Sequence, residues 1–153
     1  PALIHHYFGN KEGLLAAALV LPVDPAAVLA GIEADPERAG TELVRRIVGV
    51  WESQPEVRER MLALLRTGMS HPVATAQVRG VLGSTILSVI ARVVRDDNAE
   101  LRASLVGSQI GGLLLARYVL QVPGVADATP DQLVAAVGPV VQHYLTGPID
   151  VPA

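Results

Sequence analysis

The sequence predicts an all-α protein, and three observations support this class. Apolar residues recur at spacings of three and four, the period of one helix face, and no stretch alternates in the way a strand does. Five of the eleven prolines stand at points where a helix can begin. Half of the 153 residues are apolar but only 3% are aromatic, so we expect one domain with an aliphatic core.

The prolines and their neighbours divide the chain into eight predicted helices. The first two, at about 1–7 and 10–21, meet at Gly9 and Asn10, because glycine permits a tight turn and asparagine is a good N-cap. Asp24, Asp35 and Thr129 each precede a proline and are also expected N-caps. The six later helices are predicted at 25–34, 36–52, 55–69, 72–95, 98–121 and 130–145. Pro139 is expected to bend the last of them.

Three segments are expected from this map: 1–21 as a terminal corner with a connecting helix, 22–147 as the body, and 148–153 as a tail. The chain starts at Pro1, inside what resembles the middle of a helix, so we expect a preceding part. The net charge of −3 makes the body unsuitable as a general nucleic-acid surface, and any such contact must be local. The absence of cysteine excludes disulfides and thiolate metal sites.

The apolar composition raises the question of a membrane span. The uncharged runs 80–91 and 103–116 are shorter than the ~20 residues that a span requires, and the run 132–149 contains polar residues and prolines. No signal peptide is visible. The expected location is therefore the cytoplasm.

The N-terminal corner carries the densest group of chemically active side chains. His5, His6, Tyr7 and Lys11, the only lysine, lie beside a predicted helix N-terminus. Side chains of these types donate hydrogen bonds to phosphates, as do helix N-termini. The alternative is a capped helix corner whose polar residues are simply solvated.

The corner sequence resembles the end of the DNA-binding domain of the tetracycline-repressor (TetR) family. The matching residues are Phe8, Gly9, Asn10, Lys11, Glu12, Leu14 and Leu15, with Ile4 replacing a leucine. The segment 138–148 also resembles the end of many actinobacterial-type members. The resemblance implies a helix-turn-helix DNA-binding domain that is truncated at its N-terminus, followed by a ligand-binding and dimerisation body.

Roles for the corner residues follow from this resemblance. Ala2 and Leu3 are expected to face the major groove, while His5, Tyr7 and Lys11 are expected to contact phosphates. His5 stands where the family usually has tyrosine. His6 completes the predicted DNA-binding set.

The middle helices carry the candidates for a ligand pocket, and the resemblance implies that such a pocket lies between them. Apolar side chains with a few polar groups are typical of small-molecule sites. The predicted lining residues are Trp51, Met61, Leu65, Met69, Thr85 and Gln109. Ordinary core packing is the alternative, since Met and Leu at helical spacing are common in cores.

The last two helices carry the candidates for a dimer interface. Small residues on the 98–121 helix allow close approach of another helix, and the resemblance implies a four-helix bundle with a second copy. The predicted interface residues are Leu101, Leu105, Ser108, Gly112, Leu115, Val137, Val141 and Tyr144. The alternative is packing within one chain.

Signatures of enzymes are lacking. The sequence has no Walker A loop, no Gly-x-Ser-x-Gly elbow and no His-Glu-x-x-His pair, so we predict no catalytic residues, metal site or cofactor. The preferred hypothesis is a homodimeric DNA-binding regulator, a repressor released from operator DNA by a small hydrophobic ligand. The alternatives are a helical small-molecule binding or carrier module with no role at DNA, and a small all-α enzyme.

Overall fold

The computed structural model describes residues 24–70, 90–94 and 98–150, with scattered positions between 72 and 88. Its helices are α1 (Pro25–Val28), α2 (Ala39–Ser53), α3 (Pro55–Ser70), α4 (Ala99–Tyr118) and α5 (Pro130–Thr146), with a 3-10 turn at Ile32–Ala34. The described positions between 72 and 90 are also helical. This part of the chain contains no strand, and the predicted all-α class is confirmed.

Of the predicted N-caps, Asn10 lies outside the described residues, and two of the other three are present. The Asp24 carboxylate accepts a hydrogen bond of 2.9 Å from the N–H of Ala26. Thr129 and Gln132 form a reciprocal capping box, each side chain accepting from the other's backbone N–H. Asp35 is not a cap, because its carbonyl accepts from the N–H of Arg38 in a turn and α2 begins only at Ala39.

The helix predicted at 25–34 is broken into α1 and the 3-10 turn. Gly31 lies between them with a φ of 80°, in the left-handed region that glycine adopts without strain. An α-helix cannot continue through such a residue. The three-and-four spacing therefore predicted helical character here but missed the break.

The broken segment is attached to α2 by Arg46. The Nη1 atom of Arg46 donates to the carbonyls of Val28 and Ala30, at 3.1 and 2.7 Å. Its Nε donates to Glu42 one turn earlier on α2, at 2.7 Å. Through these bonds a single arginine holds a short loop against the domain.

The crossing of α2 and α5 is the tightest contact that we find between helices. A Cβ atom on Gly40 would lie 2.2 Å from the backbone nitrogen of Gln142, and one on Gly138 would lie 3.0 Å from the Cα of Thr41. Gln142 also accepts from the N–H of Gly40 at 2.7 Å and donates to the carbonyl of Pro36 at 2.8 Å. Gln142 thus satisfies an N–H in the first turn of α2, a helix whose own N-cap residue makes no side-chain capping hydrogen bond.

The core lies between α2, α3, α4 and α5 and is aliphatic, as predicted, with Trp51 as its buried aromatic residue. Its most deeply buried side chains are Val44, Val48, Trp51, Leu62, Ile90, Val106, Leu114, Val141 and Leu145. Arg102, also buried, donates to the carbonyls of Tyr144 and Gly147 at the end of α5. No helix in the described part of the chain has both the length and the hydropathy of a membrane span.

Candidate functional site

The predicted DNA-contacting residues lie outside the described part of the chain. These are Ala2, Leu3, His5, His6, Tyr7 and Lys11, and the predicted helices at 1–7 and 10–21 lie there as well. Their roles stay predictions.

The predicted ligand-pocket residues do not all lie together. Trp51 is fully buried in the core, and Met61 and Leu65 are partly buried against the same core. Met69 at the end of α3 is 69% exposed. Gln109 lines a groove between α4 and α5, and Thr85 lies outside the described residues. The candidates that belong to the hydrophobic core or pack against it are therefore Trp51, Met61 and Leu65.

On α4, the predicted interface residues lie on one outward face. Leu101, Ser108 and Gly112 are exposed, while Leu105 and Leu115 are half-buried. Between Arg102 and Arg117 this helix contains no charged residue. The face is therefore accessible and uncharged along most of its length.

On α5, the predicted stripe turns partly toward the core. Val141 is fully buried, and Val137 and Tyr144 are half-buried against the core. The outward positions are instead Ala136 and Val140, which the sequence analysis did not select. Because apolar residues occupy both faces of this helix, the sequence shows no single apolar stripe that identifies the core face. The small side chain of Ala136 was the available indication of the outward face.

A groove of about 600 Å³ runs between α4 and α5. Its lining is mostly small and apolar and contains no charged side chain. The lining residues are Gln109, Gly112, Leu113, Ala116, Gly124, Val125, Ala128, Gln132, Leu133, Ala136 and Val137. Such a surface suits an apolar occupant with complementary shape.

A polar cluster lies at the C-terminal end of α4, next to this groove. Arg117 forms an ion pair of 3.1 Å with Glu52 at the end of α2, and the hydroxyl of Tyr118 donates to the same carboxylate. The guanidinium of Arg58 on α3 lies 4.8 Å from the centre of the Tyr118 ring, whose other neighbours include Trp51 in an edge-to-face contact. The cluster joins three helices at one point.

The protonation states of the cluster follow from these contacts. The hydrogen bond from Tyr118, and then that from Arg117, lowers the pKa of the Glu52 carboxyl below its ordinary value. Burial, and then the bond to Glu52, raises the pKa of the Tyr118 hydroxyl above 10.0. Near neutral pH, Glu52 is therefore ionised and Tyr118 is the neutral donor.

The cluster opens into a second, more polar groove of about 490 Å³. Its lining includes Glu52, Arg117, Gln121 and Asp127. Among the residues that the structure describes, no group of three or more His, Asp or Glu side chains is arranged to hold a metal ion.

Comparisons with known proteins identify a family that this chain resembles. The family model described as "Tetracyclin repressor-like, C-terminal domain" matches residues 37–145. A crystal structure of a TetR-family regulator from Streptomyces coelicolor A3 is similar, with a TM-score of 0.54 and 29% identity over 94% of this chain and 75% of that chain. A comparison with curated proteins gives no significant match.

The matched region contains α2, α3, α4 and all of α5 except its last residue, and it lies within the predicted body at 22–147. It also includes the α4–α5 groove and the polar cluster. The family predicted from the N-terminal corner is thereby confirmed from a different part of the chain. Because the family model covers most of the 153 residues, this chain belongs to the TetR family of transcriptional regulators.

Proposed function

We propose that this protein is a homodimeric repressor that binds operator DNA and releases it when a small hydrophobic ligand binds in the helical body. The observation that carries the proposal is the family match over residues 37–145, which includes both candidate sites of the body. The homodimer and the ligand site are supported by the burial and packing of described residues.

The outward face of α4 and α5 supports the homodimer. An exposed and uncharged groove about 600 Å³ in volume, lined by small residues, is a surface that another helix pair can approach closely. The proposed surface comprises Leu101, Leu105, Ser108, Gly112, Leu115, Ala136, Val137, Val140 and Tyr144. Val141 is omitted because it is fully buried within the protomer. A two-fold dimer suits the palindromic sites that helix-turn-helix proteins read.

The ligand site is proposed beside Trp51, Met61 and Leu65. These three side chains join one apolar cluster, and the partly buried Met61 and Leu65 lie at its edge on α3. Methionine adapts to irregular apolar ligands because its side chain is unbranched and polarisable. A ligand seated there would favour one arrangement of the body over another.

DNA binding is the first test. Protein expressed from the complete reading frame is mixed with the DNA upstream of its own gene in a gel-shift assay. We expect a discrete complex that weakens with salt, and Lys11→Ala should reduce the salt slope by about one. No complex on this DNA would count against the regulator. Ligand binding without any DNA complex would favour the carrier module.

Ligand binding is tested by thermal shift against a panel of apolar compounds, since a ligand that binds only the folded state stabilises it by mass action. Met61→Ala should reduce the shift produced by a hit compound. Met69→Ala is the matched control on the same helix, because Met69 is 69% exposed and should leave the shift unchanged. Equal reductions in both variants would refute the proposed location.

A further inference from the structure

One end of the α4–α5 groove is closed by residues that belong to neither helix. Gly124, Val125 and Ala128, from the loop between the helices, line the groove there, and we call them the groove wall. The wall contains turns but no helix or strand, so contacts from outside the loop contribute to its position.

One side chain supplies hydrogen bonds to three carbonyls of this loop. The Nη1 atom of Arg117 lies 2.7 Å from the carbonyl oxygen of Val125, 3.1 Å from that of Ala126 and 2.8 Å from that of Ala128. The carbonyls of two of the three wall residues therefore accept from Arg117. The side chain is 9% exposed, so water has little access to replace these bonds.

Arg117 is in turn held from the opposite side. Its Nε and Nη2 atoms each lie 3.1 Å from the Glu52 carboxylate on α2. Since α2 is in close backbone contact with α5 at Gly40 and Gly138, the carboxylate is fixed relative to the other side of the groove. The planar guanidinium connects a rigid helix pair to the loop, and its fork geometry is one that lysine lacks.

We propose that Arg117 is a positioning residue of the dimer surface, holding the groove wall in place for a second copy of this chain. This inference rests on the homodimer of the proposed function. If the wall is already ordered in the free protomer, it loses no conformational entropy when the second copy binds. Preorganisation of this kind strengthens association without adding contacts. Arg117 therefore acts on the partner through the wall and not by touching it.

The structure offers a matched control in Arg46. Arg46 also pairs with a glutamate of α2 and donates to loop carbonyls, those of Val28 and Ala30. Its loop takes no part in lining the groove. Arg117→Lys and Arg46→Lys each keep the positive charge and remove the fork, and they release different segments of the chain.

The test is the dimer dissociation constant of the full chain, measured by sedimentation equilibrium for the wild type and both variants. We expect Arg117→Lys to raise this constant about tenfold or more and Arg46→Lys to change it by less than about twofold. An unchanged constant for Arg117→Lys, or equal increases in the two variants, would overturn the inference.

Hydrogen exchange separates this inference from the proposed dimer. The N–H groups of Val125 and Ala126 both donate to the carbonyl of Val122, so their exchange rates report order in the loop. We expect faster exchange at both in Arg117→Lys and wild-type rates in Arg46→Lys. A wild type that is monomeric at every concentration would refute the dimer, and unchanged exchange in Arg117→Lys would refute the fixation of the wall.

Discussion

Two arginines of this domain perform the same task in different surroundings. Arg46 and Arg117 each pair with a glutamate of α2, and each donates to the carbonyls of a loop. Arg46 pairs with Glu42 four residues away, whereas Arg117 pairs with Glu52 across 65 positions of the chain. The Arg46 side chain is 31% exposed and that of Arg117 is 9% exposed.

From this difference we expect burial and sequence distance to determine the importance of an ion pair more than its chemistry does. A pair within one helix forms wherever the helix forms, and water competes with it at the surface. A pair between distant elements exists only in the folded domain, and removing its more buried partner leaves the loop carbonyls that it served without their donor. Four predictions test this contrast, in order of decreasing effect.

Arg117→Ala should have the largest effect. The carbonyls of Val125, Ala126 and Ala128 lose their donor, and Glu52 loses its ion pair. We expect a decrease of about 1–3 kcal/mol in the free energy of unfolding. Urea denaturation followed by far-UV circular dichroism measures this decrease. A decrease of less than about 1 kcal/mol would contradict the claim that burial makes the Arg117 contacts more important.

Arg46→Ala should lower the same free energy by only about 1 kcal/mol. The exposed pair with Glu42 contributes about 0.3–0.5 kcal/mol, and water can replace much of the bonding to Val28 and Ala30. Arg45→Ala is the control, because Arg45 also pairs with Glu42 but donates to no loop carbonyl that we observe. If Arg46→Ala is as harmful as Arg117→Ala, the contrast is wrong.

Tyr118→Phe removes the hydroxyl that donates to Glu52 and retains the ring. We expect a loss of about 0.5–1.5 kcal/mol at neutral pH. In the wild type the raised pKa of Tyr118 contributes stability that is fully present below the unfolded pKa, near 10.0, and is lost as the pH rises through the folded value. The variant should lack this loss in thermal unfolding measured between pH 8 and 11.

Acidification should give the smallest effect and should act on both pairs. Hydrogen bonds from Arg46 and then Arg45 lower the pKa of Glu42, as Tyr118 and then Arg117 lower that of Glu52. Both contributions are present above the ordinary pKa of 4.5 and are lost as the pH falls through the folded values. Chemical denaturation between pH 7 and 3 measures how the free energy of unfolding depends on pH. We expect this dependence to be shallower in Glu42→Gln and in Glu52→Gln than in the wild type.

The sequence was informative where a local pattern determines the outcome. The caps at Asp24 and Thr129 and the proline-marked starts of α3 and α5 were read correctly, because a cap depends on neighbours within one turn. The aliphatic core followed from composition. The Arg46–Glu42 pair has the i,i+4 spacing from which such pairs can be predicted.

The candidate site could be predicted less well from the sequence, because it depends on contacts between residues that are distant in the chain. Nothing near Arg117 in sequence indicates Glu52, and nothing near Gly40 indicates the backbone of Gln142. The outward face of α5 was also missed, because apolar residues occupy both of its faces and periodicity alone does not say which one meets the core. Only the packing of α2 against α5 places Val141 inside and Val140 outside.

The glycine crossing of α2 and α5 has a consequence for motion in the domain. With Gly40 against Gln142 and Gly138 against Thr41, these two helices meet backbone to backbone, and sliding or tilting would separate surfaces that have no flexible side chains to fill the gap. We therefore expect the pair to move as a single rigid body and to act as a pivot. If the proposed ligand rearranges the domain, we expect the other elements to move relative to this pair.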